Sequence, residues 1–313
     1  PIEGVSMRYA FDDAGAAERR ETQYFEMFCN RGIYHQGWTA VTRHSTPWVL
    51  AELPPFQDDV WELYDTNTDW TQARDLAAEL PDKLAELQQL WLEEARKYNV
   101  LPLDDRRVER FNPDLAGRPV LIKGDSQLLF GGMGRLSESA TINIKNKSHS
   151  VTAEVVVPDD GAEGAIISQG GAYAGWSLYA TGGKPKYCYN LFGLQRFHVE
   201  GESPIPAGTH QVRMEFVYDG GGLGKGGAVS LYVDGEQVGE GRVEGTVPMI
   251  FSADETCDVG SDTASPVSDD YTVEGSRFSG SVNWVQIDIA ERAEDVDHLI
   301  SPEERLKIAM ARQ

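Results

Sequence analysis

The apolar residues of this 313-residue chain change from a helical to a strand spacing, and this change limits the folds open to it. Between Pro81 and Tyr98, apolar residues recur at steps of three and four, which predicts an amphipathic helix of about five turns. From about Leu136 onward, apolar and polar residues alternate, beginning with Ile142 and Ile144, and glycine becomes abundant. Many short alternating segments with turns between them predict a β-sandwich or barrel.

The second half also carries specific turn and cap signals. An alternating segment runs into Asp234-Gly235 and is followed by a returning segment, which predicts a two-residue β-hairpin. Near Trp284 the alternation changes phase, which predicts a β-bulge. Ser301 followed by Pro302 predicts the start of a short C-terminal helix with Ser301 as its N-cap.

The first 110 residues hold the helix and several shorter strand signals. Aromatic and β-branched residues between glycines predict a β-hairpin in which Ile33–Tyr34 pairs with Trp38–Val41, and Trp61–Asp65 predicts a further strand. An apolar helix face of this width normally packs on a sheet. Residues 1–110 are expected to supply too few strands for that sheet. The helix and the hairpin are therefore expected to complete a structure that an upstream segment builds.

The composition disfavours several classes of partner and of fold. A formal net charge of −22 argues against nucleic acid and anionic membrane surfaces as partners, and no apolar run is long enough to span a membrane. Cys29, Cys188 and Cys257 are few, odd in number and widely spaced, which argues against a disulfide framework and a zinc site. They are expected to be buried free thiols.

Three other patterns have both a functional and a structural interpretation. The glycine-rich run 219–227 lacks the hydroxyl residue of a phosphate loop and precedes a strand, so it is interpreted as an interstrand loop. Carboxylates crowd residues 254–270, where calcium is an option, but their spacing differs from an EF-hand and a solvated loop is favoured. The aromatic residues between 173 and 197 are expected to be mainly core, with stacking on a sugar or another ring ligand as the alternative.

Residues 23–48 combine a cysteine, two histidines and two arginines with several aromatic residues, so this stretch is the first place to look for chemistry. His35 and His44 have side chains that can act as acid, base or anion ligand. No third group at metal-ligand spacing and no Ser-His-Asp arrangement accompanies them, so a structural role is favoured. Four residues remain candidates for the rim of a substrate pocket that another segment builds: His35, Arg43, His44 and Trp48. No catalytic or metal-ligating residue is predicted in this chain.

Two ordered sets of short motifs are spread over nearly the whole chain. The first consists of Tyr24–Phe28, Asn30–Ile33, Gly37–Val41, Trp61–Asp65, Asp75–Ala77 and the helix that follows Pro81. In this order the motifs resemble the C-terminal subdomain of bacterial arylsulfatases, the formylglycine-dependent type I sulfatases. The second set consists of Gly170–Gly171, Gly175–Tyr179, Tyr218–Asp219 with its glycine run, Val233–Gly235 and Asp258–Gly260. It is similar to the concanavalin-like, or laminin-G-like, jelly roll at the tail of some members of that family.

The resemblance implies a hydrolase whose catalytic residues lie outside this chain. Family members hydrolyse sulfate monoesters with a formylglycine made from the Cys or Ser of a C/S-x-P-x-R motif, and Asp and Asn residues bind calcium. None of the three cysteines here is followed by proline two residues on and arginine four residues on. The chain is therefore expected to be the non-catalytic C-terminal portion of an arylsulfatase, inactive alone, with calcium and formylglycine in an N-terminal catalytic domain. The alternative is a glycan-binding or subunit-docking jelly-roll module.

These interpretations combine into one predicted architecture, an α+β unit followed by an all-β unit. Residues 1–110 are predicted to form the sulfatase C-terminal subdomain, a small antiparallel sheet with a packed helix, and residues 111–135 an extended linker. Residues 136–292 are predicted to form a concanavalin-like jelly-roll β-sandwich, and residues 293–313 a tail with a short helix. The predicted partners are the N-terminal sulfatase catalytic domain and, as a second option, further copies of the chain in a homo-oligomer. The sequence does not distinguish the cytoplasm from the periplasm of a bacterium.

Overall fold

A computed structural model describes residues 3–46, 52–117, 119–289 and 298–311 of the protein. The chain divides into two compact units, Pro1–Arg107 and Val108–Gln313. The regular structure of the described residues is mostly β, with three antiparallel sheets and three α-helices. None of the helices in this described part is long and apolar enough to span a membrane.

The first unit contains a four-stranded antiparallel sheet. Its strands, in sheet order, are β1 (Thr22–Met27), β2 (Asn30–His35), β3 (Trp38–Thr42) and β4 (Trp61–Asp65). The predicted hairpin is confirmed, since Ile33 pairs with Ala40 and Tyr34 pairs with Thr39. Gly37 suits the hairpin turn, because its φ of +85° lies in the left-handed region that favours glycine.

The expectation that residues 1–110 supply too few strands for a sheet is wrong. β1 extends the hairpin on one side through a turn in which Phe28 and Cys29 both have positive φ. Neither residue is glycine, so the turn lacks the residue that usually marks such a conformation in a sequence. β4 extends the hairpin on the other side, where Ala40 pairs with Leu63.

Helix α1 (Pro81–Lys97) covers one face of this sheet. Its first residue is proline, which fits there because the first helical N–H has no partner inside the helix. Leu87, Trp91 and Ala95 recur every four residues and are buried, so the predicted amphipathic helix is confirmed. They form one apolar cluster with buried residues of β2, β3 and β4, namely Ile33, Ala40 and Leu63.

The second unit contains the other two sheets. The five-stranded sheet consists, in sheet order, of β10 (Gln195–Glu200), β9 (Lys184–Leu191), β8 (Gly175–Thr181), β7 (Gly164–Gly170) and β14 (Cys257–Val259). The six-stranded sheet consists of β13 (Glu236–Gly245), β12 (Lys225–Val233), β11 (Gly208–Tyr218), β6 (His149–Val157), β15 (Ser281–Ile289) and β5 (Ser126–Phe130). Two helices accompany them, α2 (Pro113–Ala116) and α3 (Pro302–Ala311).

One apolar core lies between these two sheets, which makes the second unit a β-sandwich. Buried residues of the six-stranded sheet, such as Val155 and Met214, belong to the same cluster as Leu178 and Tyr187 of the five-stranded sheet. All four are almost completely removed from solvent. Burial of apolar surface on this scale is the main favourable contribution to folding.

The five-stranded sheet is also partly covered on its outer face. Side chains alternate along a strand, so Tyr179 and Cys188 point away from the main core. Both belong to a smaller buried cluster with Val267, which lies in the segment that follows β14. This covering segment, residues 260–280, therefore closes part of the face on which a ligand could otherwise stack.

Three local predictions for the second unit are confirmed. The turn at Asp234-Gly235 joins β12 to β13, and both of its residues have positive φ. The register of β15 against β6 shifts next to Trp284, where a bulge was predicted. Ser301 caps α3, because its Oγ accepts a hydrogen bond from the Glu304 N–H at 3.3 Å.

Two stretches of the second unit differ from the prediction. Residues 111–135, expected to be an extended linker, contain α2 and β5, and Leu129 of β5 pairs with Val285. β5 is a short edge strand with one buried residue, so it shows no alternating pattern in the sequence. Ile142 and Ile144 are buried, but residues 141–148 form no strand, because the chain turns at Asn146 with a φ of +61°.

Candidate functional site

The four predicted rim residues do not form a common site in the part of the chain that the structure describes. His35 ends β2 and is half-buried, with its Nδ1 2.8 Å from Thr22 Oγ1. His44 follows β3, and the hairpin register places it at the opposite end from His35. Arg43 is exposed, and Trp48 lies outside the described residues. The structure therefore does not bring the two histidines together.

His44 takes part in a buried ionic cluster of the first unit. Its Nδ1 lies 2.9 Å from Asp59 Oδ1, and the Arg31 guanidinium forms an ion pair with the same carboxylate. Because an ionised carboxylate can only accept hydrogen bonds, His44 Nδ1 carries the proton and donates a hydrogen bond to Asp59. The ring of Phe56 stacks on the imidazole with ring centres 4.3 Å apart. The contact of His44 with Asp59 could not be predicted from the sequence, because Asp59 lies 15 residues from His44 in a stretch without a periodic pattern.

Asp59 and His44 are arranged like the carboxylate and the histidine of a general-base pair, but the histidine is not accessible to a substrate. His44 Nε2 has no hydrogen-bond partner among the described residues, and Asp105 Oδ2 lies 3.6 Å away. The His44 side chain is completely buried, so a substrate does not reach Nε2 in this structure. We interpret the cluster as an anchor that holds the residues after β3 against the turn at Phe56–Asp58.

The face of the four-stranded sheet opposite α1 exposes apolar side chains. Tyr24 packs with the α1 cluster, and because side chains alternate along a strand, Phe25 points to the opposite face. Phe25 and Met27 are 56% and 69% exposed. A Cβ placed on Gly32 would lie 3.4 Å from Val41 and 3.7 Å from Phe25, so Val41 shares this face. We call the surface formed by Phe25, Met27 and Val41 the open sheet face.

The second unit contains a cavity of about 690 Å³ that is lined in part by a buried lysine. Lys145 Nζ lies 2.5 Å from Glu138 Oε1, and 3% of the Lys145 side chain is exposed. Burial lowers the pKa of Lys145, and the Glu138 carboxylate opposes this shift. Glu138 is held in place because it accepts a hydrogen bond from the Phe251 N–H at 2.9 Å.

Four of the five charged residues that line this cavity are already paired within the protein. Besides the pair of Lys145 and Glu138, Lys147 Nζ lies 2.7 Å from Asp114 Oδ2. Much of the remaining wall is apolar and includes Phe111, Val120, Leu121, Ile122 and Ile142. A ligand would have to compete with existing ion pairs for these groups, so we interpret both pairs as structural.

The aromatic residues between 173 and 197 divide into a buried and an exposed group. Five are buried in the sandwich or beneath the covering segment: Trp176, Tyr179, Tyr187, Tyr189 and Phe197. The expectation that these residues are mainly core is therefore confirmed. Tyr173 and Phe192 lie in the turns that follow β7 and β9, and they are 78% and 51% exposed.

The two turns that carry the exposed aromatic residues are joined at one end of the five-stranded sheet. Asn190 Nδ2 donates a hydrogen bond across to Ala172 O at 3.0 Å. A Cβ placed on Gly193 would lie 3.7 Å from the Cα of Tyr173, which shows how closely the turns approach. Leu194 is exposed in the same turn as Phe192. We call the surface formed by Tyr173, Phe192 and Leu194 the apolar rim.

All three cysteines are buried thiols, as predicted. Burial raises the pKa of Cys188 and of Cys257 to about 12. Both thiols are therefore protonated at neutral pH, and a thiol is a much weaker nucleophile than a thiolate.

The carboxylates between residues 254 and 270 are largely engaged by donors of the protein itself. Asp258 accepts hydrogen bonds from the Thr263 hydroxyl at 2.8 Å and from the Arg135 N–H at 2.7 Å. Asp262 accepts one from the Tyr271 hydroxyl at 2.6 Å. These bonds shape the turns of the covering segment, which gives the crowded carboxylates a structural explanation.

No family model matches this chain, and no curated protein sequence matches it. Solved structures that resemble part of the chain include the CBM40 of the Ruminococcus gnavus IT-sialidase bound to alpha2,3 sialyllactose. It is 13% identical, the match covers 61% of this chain and 99% of that chain, and the TM-score is 0.36.

Two further solved structures have similarities of the same order. A native heptameric SAP-like pentraxin from Limulus polyphemus is 16% identical over 55% of this chain and 82% of that chain, with a TM-score of 0.34. The receptor binding domain of botulinum neurotoxin type G is 14% identical over 62% of this chain and 47% of that chain, with a TM-score of 0.34. Similarity at this level assigns neither a family nor a ligand to this chain, and the resemblance to arylsulfatases stays a prediction.

Proposed function

We propose that this chain is the non-catalytic C-terminal part of an arylsulfatase and that its first unit docks on the formylglycine-dependent catalytic domain. The order of short motifs supports this proposal, because the motifs of the first set form the strands and the helix of one sheet and helix unit. The sulfate ester would be hydrolysed in the catalytic domain. Calcium and formylglycine would be held there, and this chain would contribute support.

The single observation that carries the docking proposal is the exposure of the open sheet face. α1 covers one face of the four-stranded sheet, whereas Phe25 and Met27 on the other face are more than half exposed. Exposed apolar side chains that adjoin one another mark surfaces that meet another protein. A catalytic domain fits as the occupant because it would turn this two-layer unit into a three-layer one, with sheet faces covered on both sides.

The first test is the reading frame upstream of the codon for Pro1. We expect genomic sequencing to show that the frame continues upstream and encodes a C/S-x-P-x-R motif. We also expect the complete protein to hydrolyse 4-nitrophenyl sulfate, and the purified chain alone to give no hydrolysis above buffer. A frame without the motif, or hydrolysis by the chain alone, contradicts the proposal.

The docking surface itself is tested in the complete protein by the double variant Phe25→Glu and Met27→Glu. Two carboxylates buried against a catalytic domain would be strongly unfavourable, so we expect a lower temperature of half-inactivation. Val217→Glu is the matched control, because Val217 is an exposed apolar residue of the second unit. Equal inactivation temperatures for the double variant and for the unaltered protein would rule out this face as the contact.

A second candidate function, glycan binding by the second unit, is favoured by the apolar rim. Exposed aromatic rings can stack on the apolar face of a sugar ring, and Tyr173 and Phe192 are held on adjoining turns. The net charge of −22 favours neutral over acidic sugars. We propose that the rim stacks on a neutral saccharide.

Saturation-transfer NMR with lactose, cellobiose and alpha2,3 sialyllactose tests this second candidate. We expect transfer to at least one neutral disaccharide, and its loss in the double variant Tyr173→Ala and Phe192→Ala. Val217→Ala serves as the control, because Val217 is an exposed apolar residue of the other sheet. Absence of transfer to both neutral disaccharides, or unchanged transfer in the double variant, contradicts the binding of a neutral saccharide at the rim.

A further inference from the structure

The cavity of about 690 Å³ in the second unit connects the apolar core with the protein surface. Two of its lining residues, Ile142 and Ile289, are buried members of the main apolar cluster. Two others, Val120 and Leu121, are 41% and 73% exposed, so the cavity is open to solvent. Sites for small molecules are mostly apolar hollows of about 300 to 1,000 Å³ with a few polar groups. This cavity therefore has the size and the lining of a small-molecule site.

Most polar groups of the lining already have partners within the lining itself. Its two lysines are each paired with a carboxylate, as described above. Asn143 Nδ2 donates a hydrogen bond to Asp114 Oδ2 at 2.9 Å, and the hydroxyl oxygens of Ser137 and Ser139 lie 3.1 Å apart. A ligand gains little from such groups, because each new hydrogen bond replaces an existing one. The polar part of the lining therefore does not favour an anion or a ligand rich in hydroxyl groups.

Asp125 is the remaining charged residue of the lining, and its carboxylate forms no ion pair with a described residue. It lies directly before β5, where its carbonyl oxygen accepts a hydrogen bond from the Ile289 N–H at 2.7 Å. With two lysines and three carboxylates, the lining carries one uncompensated negative charge. The net charge of the whole chain, −22, has the same sign. Both charges favour a positively charged ligand.

We propose that the cavity binds an amphipathic organic cation, an alkylamine in its ammonium form. The ammonium group lies against Asp125, because it only donates hydrogen bonds and an ionised carboxylate only accepts them. The alkyl chain lies against the apolar wall that includes Val120, Leu121 and Ile142. Each CH₂ group removed from water strengthens binding about fourfold, so the chain supplies most of the affinity. An exposed ion pair contributes about fivefold at most, so Asp125 mainly selects the sign of the ligand charge.

The lining of this cavity comes from four separate stretches of the sequence: residues 111–125, 137–147, 250–253 and Ile289. No local pattern therefore indicates it in the sequence. The proposal does not depend on the arylsulfatase or glycan proposals, because the lining contains no residue of the open sheet face or of the apolar rim.

Isothermal titration calorimetry of the full chain tests the proposal with hexyl-, octyl- and decylammonium chloride, each below its critical micelle concentration. Sodium decanoate is the anionic counterpart. We expect one decylammonium ion to bind per chain, and the affinity to rise about fourfold for each CH₂ group from hexyl to decyl. Decanoate should bind more weakly than decylammonium. Binding of several equivalents without a one-to-one step, or equal affinities for decylammonium and decanoate, overturns the proposal.

Two variants test whether the ligand lies in the cavity. Asp125→Lys should weaken decylammonium binding by about fivefold to tenfold and strengthen decanoate binding, because an attractive charge becomes a repulsive one. Asp159→Lys is the matched control, since Asp159 is exposed outside the lining and its replacement changes the net charge equally. Leu121→Gln should weaken binding of both ligands, whereas Leu223→Gln, at another exposed leucine, should not.

Asp125 and Leu121 are both exposed, so their variants are expected to fold like the unaltered chain. An unchanged decylammonium affinity in either variant would place the bound ion outside the cavity and overturn the proposal. Equal losses in Asp125→Lys and Asp159→Lys would show that the overall charge of the chain, and not this carboxylate, attracts the ligand, which also contradicts the site.

Discussion

Asp262 shows how one buried side chain can give the fold a pH dependence. Its Oδ2 accepts hydrogen bonds from Tyr271 OH at 2.6 Å and from the Val267 N–H at 2.9 Å. Its Oδ1 is buried and has no hydrogen-bond partner among the described residues. Burial raises the pKa of Asp262 to about 6, well above its ordinary value. A charged Asp262 is therefore a source of instability within the covering segment.

The sign of the effect follows from proton binding. The folded protein holds this proton more tightly than the unfolded chain, so the stability it supplies is present below about pH 4 and is lost as the pH rises to about 6. Two pKa units correspond to about 3 kcal/mol. Asp262→Asn keeps an acceptor for Tyr271 and Val267 and removes the charge. We expect it to raise the free energy of unfolding at pH 7 by up to about 3 kcal/mol, and to change it little at pH 4.

Urea unfolding followed by tryptophan fluorescence at the two pH values measures this difference. Asp254→Asn is the matched control, because Asp254 is exposed, and it should shift the free energy of unfolding by less than about 0.5 kcal/mol at both pH values. If Asp262→Asn destabilises the protein equally at pH 4 and pH 7, the side chain acts through its hydrogen bonds and not through its charge.

At the scale of single elements, prediction succeeded where the sequence contains a local signal. α1 has a helical apolar period and a proline at its first position, and the hairpin of β12 and β13 has Asp234-Gly235. The turn between β1 and β2 has Phe28 and Cys29 at positive φ, where no glycine marks it. β5 is recognisable only from its partner β15, because one buried residue gives no period.

The candidate sites were harder to predict for the same reason, because the residues that meet in them come from different elements and leave no local signal in the sequence. His44 was visible as a reactive residue type, but its partners Asp59 and Arg31 come from other elements. The pairing of Cys188 with His198 depends on the register of β9 and β10, which the sequence does not reveal. Asp269 reaches His198 through a segment without regular structure. The sequence shows which reactive residue types are available, but tertiary contacts decide which of them meet.

At the scale of the whole molecule, each unit has an apolar core of its own. The core residues of the first unit and the residues packed on them lie between Tyr24 and Leu103, and those of the main core of the second unit lie between Ile122 and Ile289. No described residue belongs to both clusters. Because burial of apolar surface is the main favourable term in folding, a unit with its own closed core is expected to fold alone.

We therefore predict that residues 108–313, produced as a separate fragment, fold cooperatively. The sandwich core is complete within this fragment, so we expect a single sigmoidal urea transition and a near-ultraviolet circular dichroism spectrum typical of packed aromatic residues. The fragment 1–107 has a smaller core and exposes Phe25 and Met27, so its midpoint should lie at lower urea concentration. A fragment 108–313 without a cooperative transition would show that the sandwich needs the first unit in order to fold, which would contradict the division of the chain into two units.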